Sequence, residues 1–196
     1  MSTLLEISNE EIIRQAEQTV NDEIYRVTEP MLWDLLTAFP ENKEPYRIAA
    51  KVLLLDKLYA TQLFRYKNMA FLYQIVENIR TIPDFDERVK NGDPDIVPLI
   101  YRGFEKSLFS FATKYCCLHN TVVYGRDDYS IYDSTVHKLL PKYARSVGIP
   151  LTGVQLDHWR KSGDYRAFND AVNQILDKAG ITVGKRKFDL FLWAQR

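Results

Sequence analysis

Cysteine is nearly absent from this 196-residue chain: there are two, Cys116 and Cys117, and they are neighbours. Adjacent cysteines close a disulfide only with strain, and two thiols cannot make a four-sulfur zinc or iron–sulfur site. His119, His137 and His158 are scattered and add no ligand set, so no metal is expected. Glycine and proline are scarce, with eight of each. No glycine-rich loop is present to cradle a phosphate, so nucleotide hydrolysis and a nucleotide cofactor have no support, and no other cofactor is expected. Apolar runs are short: Val52-Leu53-Leu54-Leu55 falls far below the ~20 residues that cross a bilayer. Met1 to Glu6 shows no basic segment leading into an apolar one. No secretory signal or membrane partner is therefore expected, and the cytoplasm is the expected compartment.

Net charge is zero, but its distribution is uneven. Residues 1–100 hold 11 Lys/Arg against 17 Asp/Glu, and residues 101–196 hold 15 against 9. The first stretch is therefore at −6 and the second at +6. A basic C-terminal half on a neutral chain suits a one-faced contact with phosphates; solvated helix faces are the alternative.

Hydrophobic residues make up 46% of the chain, enough for a proper core, and they repeat at helical period. Ser8-Asn9-Glu10-Glu11 forms a capping box that predicts a helix to about Arg26. Pro30 is expected in the first turn of a helix that Pro40 closes. Pro45 opens a longer one, with Ile48, Val52, Leu55, Leu58 and Tyr59 on one stripe. Phe71, Leu72, Ile75 and Val76 repeat the pattern. Asp93-Pro94 caps a helix expected to reach Arg102. Leu108 to Leu118 reads as a buried helix, followed by a polar loop from Asn120 to Asp128. Asp133-Ser134 leads into a helix to about Val147, which Gly148-Ile149-Pro150 breaks. Asp164 to Lys178 and Lys185 to Gln195 are the last two predicted helices. No alternating strand pattern and no internal repeat is visible, so the fold class is all-α.

Two residues in the basic half stand out. Lys114 lies in Phe109-Ser110-Phe111-Ala112-Thr113-Lys114-Tyr115-Cys116-Cys117, and Asp133 lies in Tyr129-Ser130-Ile131-Tyr132-Asp133-Ser134. A lysine in a buried helix, then a loop, then an aspartate heading the next helix, resembles the helix–hairpin–helix DNA glycosylases, nearest the 8-oxoguanine glycosylase branch. The likeness covers roughly residues 105–145. It implies a helical two-lobed fold around a central cleft, with an N-terminal lobe over about 1–103 and a basic catalytic lobe over about 104–196. It implies DNA as partner, with one modified base flipped into the cleft. Lys114 matches the family's nucleophilic lysine and Asp133 its catalytic aspartate. Breaking the base–sugar bond leaves positive charge on the sugar, which a fixed carboxylate stabilises. A neutral amine attacking the sugar carbon would give a covalent imine and allow strand cleavage. The bland alternatives are a capping role for Asp133 and a snorkelling Lys114.

The resemblance also implies that the C-terminal helix closes the base pocket. Phe188, Trp193 and Tyr132 are the candidate rings, with ordinary core packing as their alternative. Lys185, Arg186, Lys187, Lys142 and Arg145 are candidate phosphate contacts or a solvated charge run. A Cys117–His137 nucleophilic pair is disfavoured, because the cysteines read as buried and a thiolate needs an electropositive setting. Ser107 to Thr113, just ahead of Lys114, contains no glycine, where the family places glycines for phosphate approach. That absence motivates a second reading, an inactive nucleic-acid-binding module of the same fold. A helical protein whose basic half meets an acidic partner is a third. The expected activity is removal of a modified base, with or without strand cleavage, in repair or in defence against phage DNA carrying hypermodified bases.

Overall fold

The computed structural model describes residues 4–63, 69–104 and 108–196. Within them the chain is all-helical, and no strand is present among the described residues. No helix there is long and apolar enough to cross a membrane. Among the described residues eleven α-helices follow in order: α1 (Asn9–Val20), α2 (Glu23–Ala38), α3 (Pro45–Leu58), α4 (Met69–Arg80), α5 (Phe85–Lys90), α6 (Val97–Ile100), α7 (Phe109–Tyr124), α8 (Ser134–Ser146), α9 (Gly153–Ser162), α10 (Tyr165–Lys178) and α11 (Lys185–Trp193).

Local capping chemistry sets most of these boundaries. Ser8 Oγ accepts from the Glu11 N–H, and Asp164 Oδ1 from the Ala167 N–H. Pro45 opens α3 as its first residue. The structure corrects the sequence expectation in four places. Asp22 accepts from the Ile24 and Tyr25 N–H groups and starts α2 at Glu23, so the first helix stops at Val20 rather than Arg26. Pro30 then lies inside α2, not in its first turn. The missing N–H forfeits one bond, on an exposed face where water can serve the freed carbonyl. The segment from Asp93 is a 3-10 turn (Pro94–Ile96) followed by the single turn of α6, which ends at Ile100. Helix α7 runs on to Tyr124 because its stop signal is Gly125, left-handed at φ 61, whose N–H reaches the Thr121 carbonyl. Helices α5 and α9 were not predicted; α9 opens on a reciprocal capping box between Thr152 and Gln155.

Helix α7 is the axis of the molecule. It packs against α2, α3, α5 and α6, and every residue from Phe111 to Asn120 is buried. At its start, Phe109 meets Tyr132, Tyr165 and Phe168 in an aromatic cluster that joins it to α10. Its polar residues must find partners inside the protein. From the middle of the helix, Tyr115 donates to Asn42 Oδ1, and one turn later His119 Nε2 lies 2.9 Å from Asn42 Nδ2. Fully buried Lys51 donates to the same Asn42 oxygen and to the Glu41 carbonyl. Burial outweighs the nearby Asp86 charge and lowers the Lys51 ammonium from 10.5 to about 8.

Helix α11 is placed from two directions. Asn9 Oδ1 accepts the N–H groups of Thr182 and Val183 just before it. The Asp127 carboxylate, from the loop after α7, accepts the Arg186 N–H and so caps the helix from outside. Gly184 makes that approach possible, since a Cβ there would overlap the Asp127 carboxylate and lie 3.0 Å from its Cγ.

Two outcomes follow from this packing. Gly184→Ala should displace Asp127 and uncap α11, costing about 1–2 kcal/mol, and should cost little when Asp127 is already alanine; thermal melts of the single and double variants check both. Lys51 gives a pH signature. Between about 8 and 10.5 the unfolded chain holds a proton that the folded chain has lost, so rising pH favours the fold. Urea melts should therefore show wild type gaining stability relative to Lys51→Met across that window.

Candidate active site

Lys114 and Asp133 come together. Lys114 projects from the second turn of α7, and Asp133 is the residue that caps α8. Lys114 Nζ lies 3.7 Å from Asp133 Oδ2 and 3.3 Å from Ser110 Oγ, to which it donates. Asp133 Oδ1 accepts the Val136 N–H at 2.9 Å. The capping and the charge roles are thus divided between the two oxygens of one carboxylate. Oδ1 fixes the group on the helix, where an anion is favoured, and Oδ2 is left facing the ammonium.

The register of this pair is set one residue upstream of each member. Thr113 Oγ1 accepts the buried N–H of Tyr132 at 3.1 Å while donating to the Ser110 carbonyl. The loop leading to Asp133 is pinned along its length. Asn120 holds the Asp128 N–H and carboxylate. Tyr165 and Asn169 take the Ser130 N–H. Asp133 therefore arrives by a path with little freedom, although no regular secondary structure carries it.

Both residues line a cleft of about 360 Å³ between α2, the end of α3, and α11. Helix α11 contributes Arg186, Asp189, Leu190 and Trp193, spaced on one helical face. Arg186 is the hub. Its Nη2 donates to Glu29, Tyr25 and Tyr59 at 2.7, 2.7 and 3.0 Å, and its Nη1 to Asp189 at 2.6 Å. Tyr59 also donates to Glu29. Burial pushes the Tyr25 phenol up to about 12 and that of Tyr59 well above its ordinary value, so both remain donors. Asp189 is raised to about 6: burial and the nearby Asp133 charge together outweigh Arg186. The Trp193 ring sits 6.0 Å from that of Tyr25, and Arg196 lies 3.5 Å over its face. The cleft thus joins an aromatic wall to a cluster of carboxylates and cations, which suits a planar ligand carrying a charge-developing centre.

The remaining expected residues divide. Trp193 lines the cleft. Phe188 and Tyr132 do not, and their assignment to a base pocket is corrected. Phe188 packs on Tyr143 and Phe191, and Tyr132 on Phe109 and Phe168, all within the core. Arg186 is likewise corrected as a phosphate contact, since its guanidinium is committed to the cleft wall. Lys185 is turned inward too, donating to the Asp128 carbonyl at 2.6 Å. Lys142, Arg145 and Lys187 are exposed. Ser107, the first residue of the glycine-free stretch, lies outside the described residues. Cys116 and Cys117 are free and buried, and burial pushes both thiols up, to about 12 for Cys117. No group of His, Cys, Asp and Glu able to hold a metal occurs among the described residues. Sequence reasoning missed Tyr25, Glu29, Tyr59 and Asp189. The signal available was the polar pair Arg186 and Asp189 on the same stripe as Leu190 and Trp193.

The Thr113–Tyr132 bond yields a test. Thr113→Val keeps the shape but strands a buried N–H, at a cost of roughly 1–3 kcal/mol, and loosens the Lys114–Asp133 register. Stability should fall by that amount in denaturant melts, and hydrogen exchange at the Tyr132 amide should accelerate.

Residues 9–124 match the family HI_0787_N, an N-terminal domain. An uncharacterized protein of Haemophilus influenzae is 34% identical over 89 residues, which are 43% of this chain and 39% of the relative. The match therefore spans about two fifths of that relative's own length. No solved structure matches. The matched segment holds Tyr25, Glu29, Tyr59 and Lys114, whereas Asp133, Arg186, Asp189 and Trp193 lie beyond it. It covers more than half of the 196 residues, and the chain belongs to the HI_0787_N family.

Proposed function

We propose that this protein is a DNA N-glycosylase of the cytoplasm that takes a modified base into the α2–α11 cleft and breaks its bond to deoxyribose. The observation that carries the reading is the Lys114–Asp133 pair, 3.7 Å apart and lining a cleft with an aromatic wall. A base stacked against Trp193 and Tyr25 would bring its sugar toward that pair. As the bond from C1′ to the base nitrogen stretches, the electron pair leaves with the base and positive charge grows on the sugar. Asp133 Oδ2 is the carboxylate available to stabilise it, because Oδ1 is held by the Val136 N–H. Water, or the Lys114 amine once it has given up its proton, then adds to C1′; the second route forms an imine and opens the way to strand cleavage. Lys142, Arg145 and Lys187 are exposed cations able to meet phosphates. The biological setting would be repair or the attack of hypermodified bases in phage DNA.

The glycine-free stretch before Lys114 favours a second reading, a DNA-binding module that does not cut. One experiment separates them. Purified protein is incubated with duplexes carrying oxidised, deaminated, alkylated or glucosylated bases, and free base is measured by mass spectrometry. Wild type should release one class. Asp133→Asn retains an acceptor for the helix cap but should lower release by about 10²–10³-fold. Lys114→Gln distinguishes amine attack from attack by water. Tight DNA binding with no release from any duplex would overturn the enzymatic reading in favour of the binding module.

A further inference from the structure

The cleft holds a carboxylate that the mechanism above does not use. Asp189 stands on the cleft face of α11, three residues after Arg186 and four before Trp193, so it lies one helical turn from the ring against which a base would stack. Its Oδ2 accepts from Arg186, and among the described residues no hydrogen bond reaches its Oδ1. Its position is opposite in kind to that of Asp133. Asp133 caps the start of α8 beside Lys114 and has one oxygen held by the Val136 N–H, whereas Asp189 shares a helix with Trp193 of the aromatic wall, within reach of the Asp133 and Lys114 charges.

Resting on the glycosylase reading, we infer that Asp189 is the acid that protonates the departing base. The C1′–N bond breaks with both electrons going to the base, and the Asp189 carboxyl gives its proton to a base nitrogen or exocyclic oxygen. The base leaves neutral, Asp189 is left as the carboxylate beside Arg186, and solvent water returns the proton after release. The surroundings suit an acid rather than a second anion. Arg186 on the same helix is the favourable charge, shared with Glu29 of α2. Tyr25 of α2 and Tyr59, just after α3, add phenols held to the same guanidinium. Lys114 and the Cys117 thiol face it from α7, and Asp133 from the head of α8 adds like charge. The balance raises Asp189 to about 6, so the acid form is abundant at mildly acidic pH and declines through neutrality.

The test compares two leaving groups across pH 5.5–8.5. One probe is the duplex that wild type cuts fastest in the base panel. The other is the same duplex with p-nitrophenol linked to C1′, which departs as an anion and needs no proton. On the natural base, wild-type release should fall as pH rises above about 6. Asp189→Asn keeps a group able to bond Arg186, and should be about 10²-fold slower at pH 6 and lose that fall. Asp189→Glu should retain it. On p-nitrophenol, Asp189→Asn should lose only a few-fold while Asp133→Asn stays severely impaired. Equal losses by Asp189→Asn on both probes, or an unchanged pH profile, would overturn the assignment while leaving the glycosylase intact. No release of either leaving group by wild type overturns both.

Discussion

A helix buried on every side must satisfy its polar side chains from within, and α7 is such a helix. Thr113, Asn120 and His119 each fix a different part of the molecule. Thr113 holds the Tyr132 amide, and Asn120 holds Asp128. His119 joins the Asn42 cluster, and Lys114 is the one aimed at open space, in the cleft. The cost of leaving any such group unpaired exceeds the gain from an ordinary hydrogen bond. The loop from Gly125 to Asp133 is therefore tethered at Asp128, Ser130 and Tyr132. The geometry of the candidate site depends on that tethering more than on the helices beside it.

The cleft shows the opposite economy. Arg186 is 12% exposed and is surrounded by Glu29, Asp189 and two tyrosines. Burying such a group is offset only when its hydrogen bonds are well formed, and breaking one partner away typically costs 3–5 kcal/mol, so a hub of this kind is weak evidence for stability. Its value lies in orientation. It fixes two carboxylates and two phenols from α2, the end of α3 and α11 around one space, so little reorganisation is left for a ligand to induce.

The helical class and most helix starts were legible in the sequence, because Ser8, Pro45, Asp133 and Asp164 are strong local signals. The failures were local as well. Asp22 was overlooked beside the more conspicuous Pro30, although a side-chain cap starts a helix that an exposed interior proline can tolerate. Gly125 ended α7 where the polarity of Asn120 had suggested an earlier end. The juxtaposition of Lys114 with Asp133 was expected from a resemblance confined to their own segment. The rest of the cleft was not readable in that way. Arg186 and Lys185 look like surface cations in a Lys-Arg-Lys run, and only tertiary packing turns them inward. Phe188 and Trp193 share a helix, yet one enters the core and the other the cleft, a choice settled by the angle at which α11 lies on its neighbours.

The pairing of α1 with α11 sets an order of events during synthesis. Asn9 bonds to Thr182, 173 positions later in the chain. Contacts this distant form late, because the entropy of closing the intervening chain must be met first. At ribosomal speed α1 waits on the order of ten seconds for its partner, with Ile12 and Ala16 lacking their final cover. Lys114 and Asp133 are made well before α11, but the wall bearing Arg186 and Trp193 docks only as the fold closes. The wall that Arg186 and Trp193 give to the cleft beside Lys114 and Asp133 is thus supplied by the helix whose docking closes the long loop from Asn9 to Thr182.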